Sequence, residues 1–328
     1  MLVVALVVAV GVAYVWQSVG ATGPALPLTV VGDYPLTGAA TRFDYASIDS
    51  ARRILWLAHM GDGSVEAFDV KANRVALTVP LGANATVRGI LAVDGKVYAA
   101  AQGLGGVVVL DASSGKRIAM VPAGDVDGLA YDPLTRRVFV SDEGGGRVAV
   151  IDARTNRAVA DVALGGEVGN VQYDAVSRHV FAGVQTRDEL AEIDPSSMKV
   201  IRRYALPGCS SSHSVAVDAT ERAAYVGCQH NARVVRLDVR SGRVTGSGGV
   251  GIGVDVLALD SGLHRLYAGS ESGVVSAYDV ANGGLVRIAQ AFLHLNAHVV
   301  AVDPATHRVY FPLQNAGGKP VMRVMAPR

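Results

Sequence analysis

Gly128-Leu129-Ala130-Tyr131, Arg137-Val138-Phe139-Val140, Arg147-Val148-Ala149-Val150-Ile151 and Ala158-Val159-Ala160-Asp161-Val162-Ala163-Leu164 are four apolar runs in quick succession. Turn-forming residues separate them: Asp132-Pro133-Leu134-Thr135, Gly144-Gly145-Gly146 and Arg154-Thr155-Asn156. Each run has strand length, and no helical window interrupts them, so the stretch predicts one four-stranded antiparallel unit.

The unit recurs along the chain. Short apolar runs end in Asp49, Asp94, Asp132, Asp174, Asp218, Asp260 and Asp303, at spacings of 45, 38, 42, 44, 42 and 43 residues. A second series, Asp69, Asp111, Asp152, Asp194, Asp238 and Asp279, keeps spacings of 42, 41, 42, 44 and 41. Four-stranded units at this period are the signature of β-propeller blades. Seven first strands predict an all-β, seven-bladed propeller spanning residues 28–325 as one domain. The last unit has only three strands before the chain ends. Leu28 to Leu36 resembles the blade-one strand Val75 to Leu81, both ending in Pro-Leu, so the N-terminal strand is expected to complete blade seven. Closure of that kind removes a sheet edge that would otherwise pair with other chains, and it predicts a monomer.

Arg137 to Ser141, Val148 to Asp152 and Ala158 to Gly165 resemble the YVTN-type propeller repeat, with its aromatic-Val strand, Val-Ile-Asp strand and final apolar strand ending in Gly. The nearest group is the YncE-like exported propellers of bacteria, although no unit spells Tyr-Val-Thr-Asn. The resemblance implies the fold; it does not carry one activity, because propellers host unrelated functions.

Composition and the N-terminus set the setting. Half of the 328 residues are hydrophobic and 18% are charged, which excludes disorder. A net charge of +1 gives no basic field for broad nucleic-acid binding. Leu2 to Trp16 is an uncharged apolar run followed by Ser18-Val19-Gly20-Ala21. Residues 1–21 are therefore read as a signal peptide or an N-terminal membrane anchor, with periplasmic or extracellular export expected and membrane contact only through this segment.

Candidate functional residues follow from blade geometry. The positions five residues before each first-strand Asp are Asp44, Gly89, Asp127, Gly169, His213, Asp255 and His298. The ends of the second strands give His59, Gln102, Asp142, Gln185, Gln229, Ser270 and Gln314, with His230 directly after Gln229. Antiparallel pairing puts both sets at one mouth of the channel. There His59, Asp44, Asp127, Asp142, His213, His230, Asp255, His298 and Gln314 are the expected ligand-binding groups. Imidazole and carboxylate are also ligands of borderline metals, so His59, His213, Asp255 and His298 are the candidate set for a divalent metal ion, the one cofactor the sequence suggests. His179, His264 and His307 fall in turns on the opposite face and are expected to be solvated.

Cys209 precedes the first strand of blade five and Cys228 ends its second strand, so the two are expected to meet. In an exported protein a disulfide is the default; two thiol metal ligands are the alternative, with a spacing that matches no standard zinc pattern. Three function classes remain. The first is an exported propeller that binds a protein, peptide or small polar ligand at the polar mouth. The second is a metal-dependent, lactonase-like hydrolase, disfavoured because Glu is absent from both sets. The third is single-stranded nucleic-acid binding, ranked last because aromatics are only 6% of the chain and lie mostly at strand positions.

Overall fold

The computed structural model describes residues 25–328. The segment read as a signal peptide or anchor, residues 1–21, lies outside the described residues. Seven antiparallel sheets of four strands each are present. In blade three the strands are Val126–Asp132, Arg137–Asp142, Arg147–Asp152 and Arg157–Ala163, paired in sequence order. Among the described residues there is no α-helix; five short 3-10 turns are the only helical elements.

The ring closes as the sequence predicts. The N-terminal strand Leu28–Pro35 pairs antiparallel with the last strand, Lys319–Pro327, and is the outermost strand of the seventh sheet. Seven apolar clusters hold the ring, each shared by two adjacent blades. The cluster between blades seven and one joins Tyr310, Met322 and Val324 to Leu55, Leu57 and Phe68, so closure is packed as well as hydrogen-bonded. Leu26 and Leu28 belong to the cluster between blades six and seven.

One aromatic per blade explains how few aromatics suffice. Trp56, Tyr98, Phe139, Phe181, Tyr225, Tyr267 and Tyr310 occupy the same place in each second strand, and all are at most 1% exposed. A wedge-shaped gap between twisted sheets needs one large side chain per blade, and these seven fill it.

The recurrent aspartates are structural. Asp69, Asp111, Asp152, Asp194, Asp238 and Asp279 each accept backbone N–H bonds from the turn that follows, for example Asp111 from Ser113 (3.1 Å) and Ser114 (2.9 Å). First-strand aspartates also tie neighbouring blades. Arg53 of blade one clamps Asp303 of blade seven through both guanidinium nitrogens, and Arg222 of blade five reaches Asp174 of blade four. Two histidines read as solvated are bonded instead: His307 Nδ1 lies 3.0 Å from Asp260, and His179 Nδ1 lies 2.6 Å from Glu192. The adjoining blade or strand supplies each carboxylate, which a single repeat's sequence does not reveal.

Cys209 and Cys228 form a disulfide, with 5.1 Å between their Cα atoms. Both cysteines are buried in the cluster between blades four and five. The bridge closes a loop with a sequence separation of 19, so reduction is expected to cost about 3 kcal/mol. For a domain of this size that corresponds to a fall in melting temperature of roughly 5 °C. Paired melts with and without reductant measure it; coincident melts would show that the bridge contributes nothing.

Candidate functional site

The first strands, and in blades one and seven the segments leading into them, bring Asp44, Asp127, His213, Asp255 and His298 to one mouth of the channel, all buried. Gly89 and Gly169 interrupt this ring for a steric reason. A Cβ at Gly89 would meet the Asp127 carbonyl oxygen at 1.9 Å, and one at Gly169 would meet the His213 carbonyl oxygen at 2.4 Å. The inner strands of neighbouring blades approach too closely there for any side chain.

Asp255 is the hub. His213 Nε2 lies 3.0 Å from Asp255 Oδ1. Arg42 Nη2 lies 3.3 Å from Asp255 Oδ2 and 2.9 Å from Asp44 Oδ1. His298 Nε2 faces the same two carboxylates at 3.6 Å each, while its Nδ1 donates to the Asn296 carbonyl at 2.9 Å. Toward solvent the charges continue in pairs: Arg42 with Glu271 (2.8 Å) and Arg88 with Glu143 (2.6 Å). Gln185 donates to Glu143 at 2.9 Å, and Ser211 donates to Gln185 at 3.0 Å. Arg42, Asp44, Met60, Arg88, Asp127, Glu143, His213, Gln229, Asp255 and Glu271 enclose a cavity of about 270 Å³.

Four expected site residues lie apart from this cluster. His59 is fully buried and stacks on Phe43 with 4.0 Å between ring centroids. Its Nδ1 is 2.9 Å from Glu66 and its Nε2 is 3.0 Å from Thr41, so it holds the segment entering blade one. Asp142 accepts from the Asp125 and Gly145 backbone N–H groups (2.8 and 3.2 Å) and from Arg147 Nε (2.7 Å), which makes it a turn cap. His230 is exposed, and Gln314 accepts from Asn296 at 2.8 Å. The metal set changes accordingly: Asp44, Asp255 and His298 each bring a ligand atom within 4.8 Å of the others, while His213 engages Asp255 from the side and His59 is not among them. Arg42 already bonds the same two carboxylate oxygens, so a divalent cation there would have to displace a guanidinium.

Sequence reading missed Arg42, Arg88, Glu143 and Glu271. Glu143 and Glu271 stand one residue beyond the second-strand ends, and Arg88 stands one residue before Gly89. Glu is absent from both positional sets, yet Glu143 and Glu271 reach the mouth because the short turns after the second strands also face it. Below it the channel continues as a cavity of about 530 Å³ lined largely by first-strand aliphatics such as Ile48, Leu91, Val217 and Leu259. Tyr45 of blade one and Asn170 of blade four bond across the lumen, Asn170 Nδ2 donating to the Tyr45 hydroxyl. Burial and the carboxylates of Asp255, Asp127 and Asp44 raise the Tyr45 hydroxyl well above its ordinary value, so it stays protonated.

Burial and charge compete throughout the cluster. Burial disfavours the His213 cation, but its bond to Asp255 and the charges of Asp255, Asp127 and Glu143 outweigh this and lift it to about 9. Burial pushes Asp255 up; the His213 bond and the charges of His298, His213 and Arg42 overcome it and hold Asp255 low. For Asp127 burial wins: with Asp44 and Asp255 it raises the carboxyl to about 7 against the pull of His213 and Arg88.

A pH dependence follows. His213 is protonated more readily folded than unfolded, so its contribution is complete below 6.5 and vanishes as pH rises to about 9. Asp127 also holds its proton more tightly when folded, so stability falls as pH climbs from 3.8 to about 7. Asp255 contributes above 3.8 and loses that contribution as acid protonates it in the fold. Denaturation midpoints are therefore expected to peak near pH 4 and to decline from there toward pH 9, with about 3 kcal/mol of the decline above pH 6.5 from His213. The His213→Asn variant should flatten the alkaline limb. A profile rising from pH 5 to 9 would contradict the assignment.

No protein-family model matches the chain, and no curated protein sequence does. Among solved structures it is similar to a chain of Kuenenia stuttgartiensis hydrazine synthase, at 15% identity and a TM-score of 0.75, covering 90% of this chain and 99% of that one. It is also similar to the WD40 repeats of RRP9, at 10% identity and a TM-score of 0.78, covering 92% and 100%. The likeness is one of fold. At such identities the shared feature is the ring of blades, and nothing about the mouth is carried over from either protein.

Proposed function

We propose that this protein is an exported propeller of the YncE-like kind that binds a small polar ligand at the charged mouth of its channel. One observation carries the reading: side chains from several blades hold buried charges around a cavity of about 270 Å³, which is close to the lower end of the roughly 300–1,000 Å³ of drug-sized sites. A rigid ring presents them without a loop to order, which lowers the cost of binding. Export is supported by the apolar N-terminal run and by the buried disulfide. The hydrolase reading gains Glu143 and Glu271 at the mouth, but both are held by arginines.

Thermal-shift titration with charged metabolites and divalent metals tests the reading. A ligand that raises the melting temperature of the wild type but not of the Asp127→Asn variant is expected. Dialysis against a chelator should leave the melting temperature unchanged, because Arg42 and His213 already neutralise the carboxylate pair. If no charged compound shifts the melt, the mouth is a solvated channel lining and the reading fails.

A further inference from the structure

Several polar atoms at the mouth have no hydrogen-bond partner among the described residues. Asp127 is 3% exposed, lines the cavity and accepts no hydrogen bond among the described residues, although buried polar groups are as a rule hydrogen-bonded. His213 lines the same cavity with its Nε2 committed to Asp255 and its Nδ1 buried. Arg88 uses Nη1 for Glu143, and its Nε and Nη2 make no protein hydrogen bond among the described residues. Arg88 and Asp127 feel each other's charge, yet no ion pair joins them. The cavity thus presents an uncommitted carboxylate beside the uncommitted N–H donors of Arg88.

We propose that the mouth binds a small zwitterion of the α-amino-acid class, its ammonium on Asp127 and its carboxylate on Arg88. This rests on the reading of the mouth as a ligand site. A simple cation would satisfy Asp127 and leave the N–H donors unpaired; a simple anion would pair with them and face the Asp127 carboxylate. Only a ligand carrying both charges answers both sides, and each contact would be a charge-assisted hydrogen bond. Size agrees, since about 270 Å³ suits a metabolite smaller than a drug. Arg42 and Glu271 engage each other, so they close the rim without competing for the ligand. Met60 and Gln229 remain on the wall for the ligand's side chain.

Calorimetry and melting of the oxidised protein with the common amino acids test this. Propylamine and propionate serve as singly charged probes, and N-acetyl and amide derivatives of any binder serve as matched controls. At least one amino acid is expected to bind and to raise the melting temperature. Masking either charge should weaken it by about tenfold or more, one charge-assisted contact each. Asp127→Asn and Arg88→Gln should each weaken it similarly with the β spectrum retained. An acetylated or amidated derivative that binds as tightly as its parent overturns the zwitterion on the wild-type protein alone. So does the absence of amino-acid binding at ~10 mM, where even a millimolar ligand would register. If propylamine or propionate binds instead, and Asp127→Asn or Arg88→Gln abolishes it, the class is wrong and the mouth still stands as a ligand site. If no probe binds, both readings fall.

Discussion

A chain shortened to begin at Thr37 is expected to aggregate rather than fold. The deletion strips the outermost strand from blade seven and leaves Lys319–Pro327 as an open edge, a template for pairing with other chains. It also removes Leu26, Leu28 and Leu36, which are 5%, 2% and 8% exposed. Burying each is worth about 1.5–3 kcal/mol, so the three together approach the roughly 5–15 kcal/mol that separates a typical domain from its unfolded state. The Asp33–Arg323 ion pair adds little, because both partners are partly exposed. The milder Leu28→Ala change should cost about 2–5 kcal/mol, since neighbouring blades cannot collapse into the space. Size-exclusion chromatography and melting of both variants measure this. A truncated protein that stays monomeric with an unchanged melt would show that the ring is stable without its closing strand.

This closure was legible because it depends on strand count and a repeated Pro-Leu ending, features that a single sequence displays. Blade number was legible for the same reason: Asp at a fixed turn position recurs wherever the backbone needs a capped turn, independently of what lies across the ring. The site was legible only in part. Asp44, Asp127, His213, Asp255 and His298 share one position in their blades, and equivalent positions in a ring point to one axis. His59 shares the second-strand series yet turns into its own blade, because Glu66 and Thr41 engage both of its ring nitrogens. That difference depends on residues peculiar to blade one, and a repeat-based argument averages them away. Asp142 was misplaced for a related reason: a carboxylate beside three glycines caps the turn before it can reach the channel. Arg42 and Arg88 were missed because long side chains reach the mouth from residues outside the series.

Replacing Asp255 with Ala should be the most damaging single change at the mouth. Its carboxylate receives His213 at 3.0 Å and Arg42 at 3.3 Å, and it faces His298 at 3.6 Å. Without it, Arg42 keeps its charge with only Asp44 and the outer Glu271 to offset it, and the buried His213 ring loses its hydrogen-bond partner. Removing one partner of a buried ion pair typically costs about 3–5 kcal/mol, mostly from the charge left behind. Glu271→Ala is the matched control, because it contacts the same guanidinium at 2.8 Å from a side chain 42% exposed. Exposed pairs are worth about 0–1 kcal/mol, so this variant should melt almost as the wild type does. His213 should also lose its upward shift in Asp255→Ala, since its hydrogen bond and nearest charge disappear together. A titration of the ring followed by NMR would then show it neutral at pH 7, and the alkaline decline in stability would move to lower pH. If the two variants were equally stable, the mouth would be hydrated well enough to screen its charges, and the desolvated site on which ligand recognition depends would not exist.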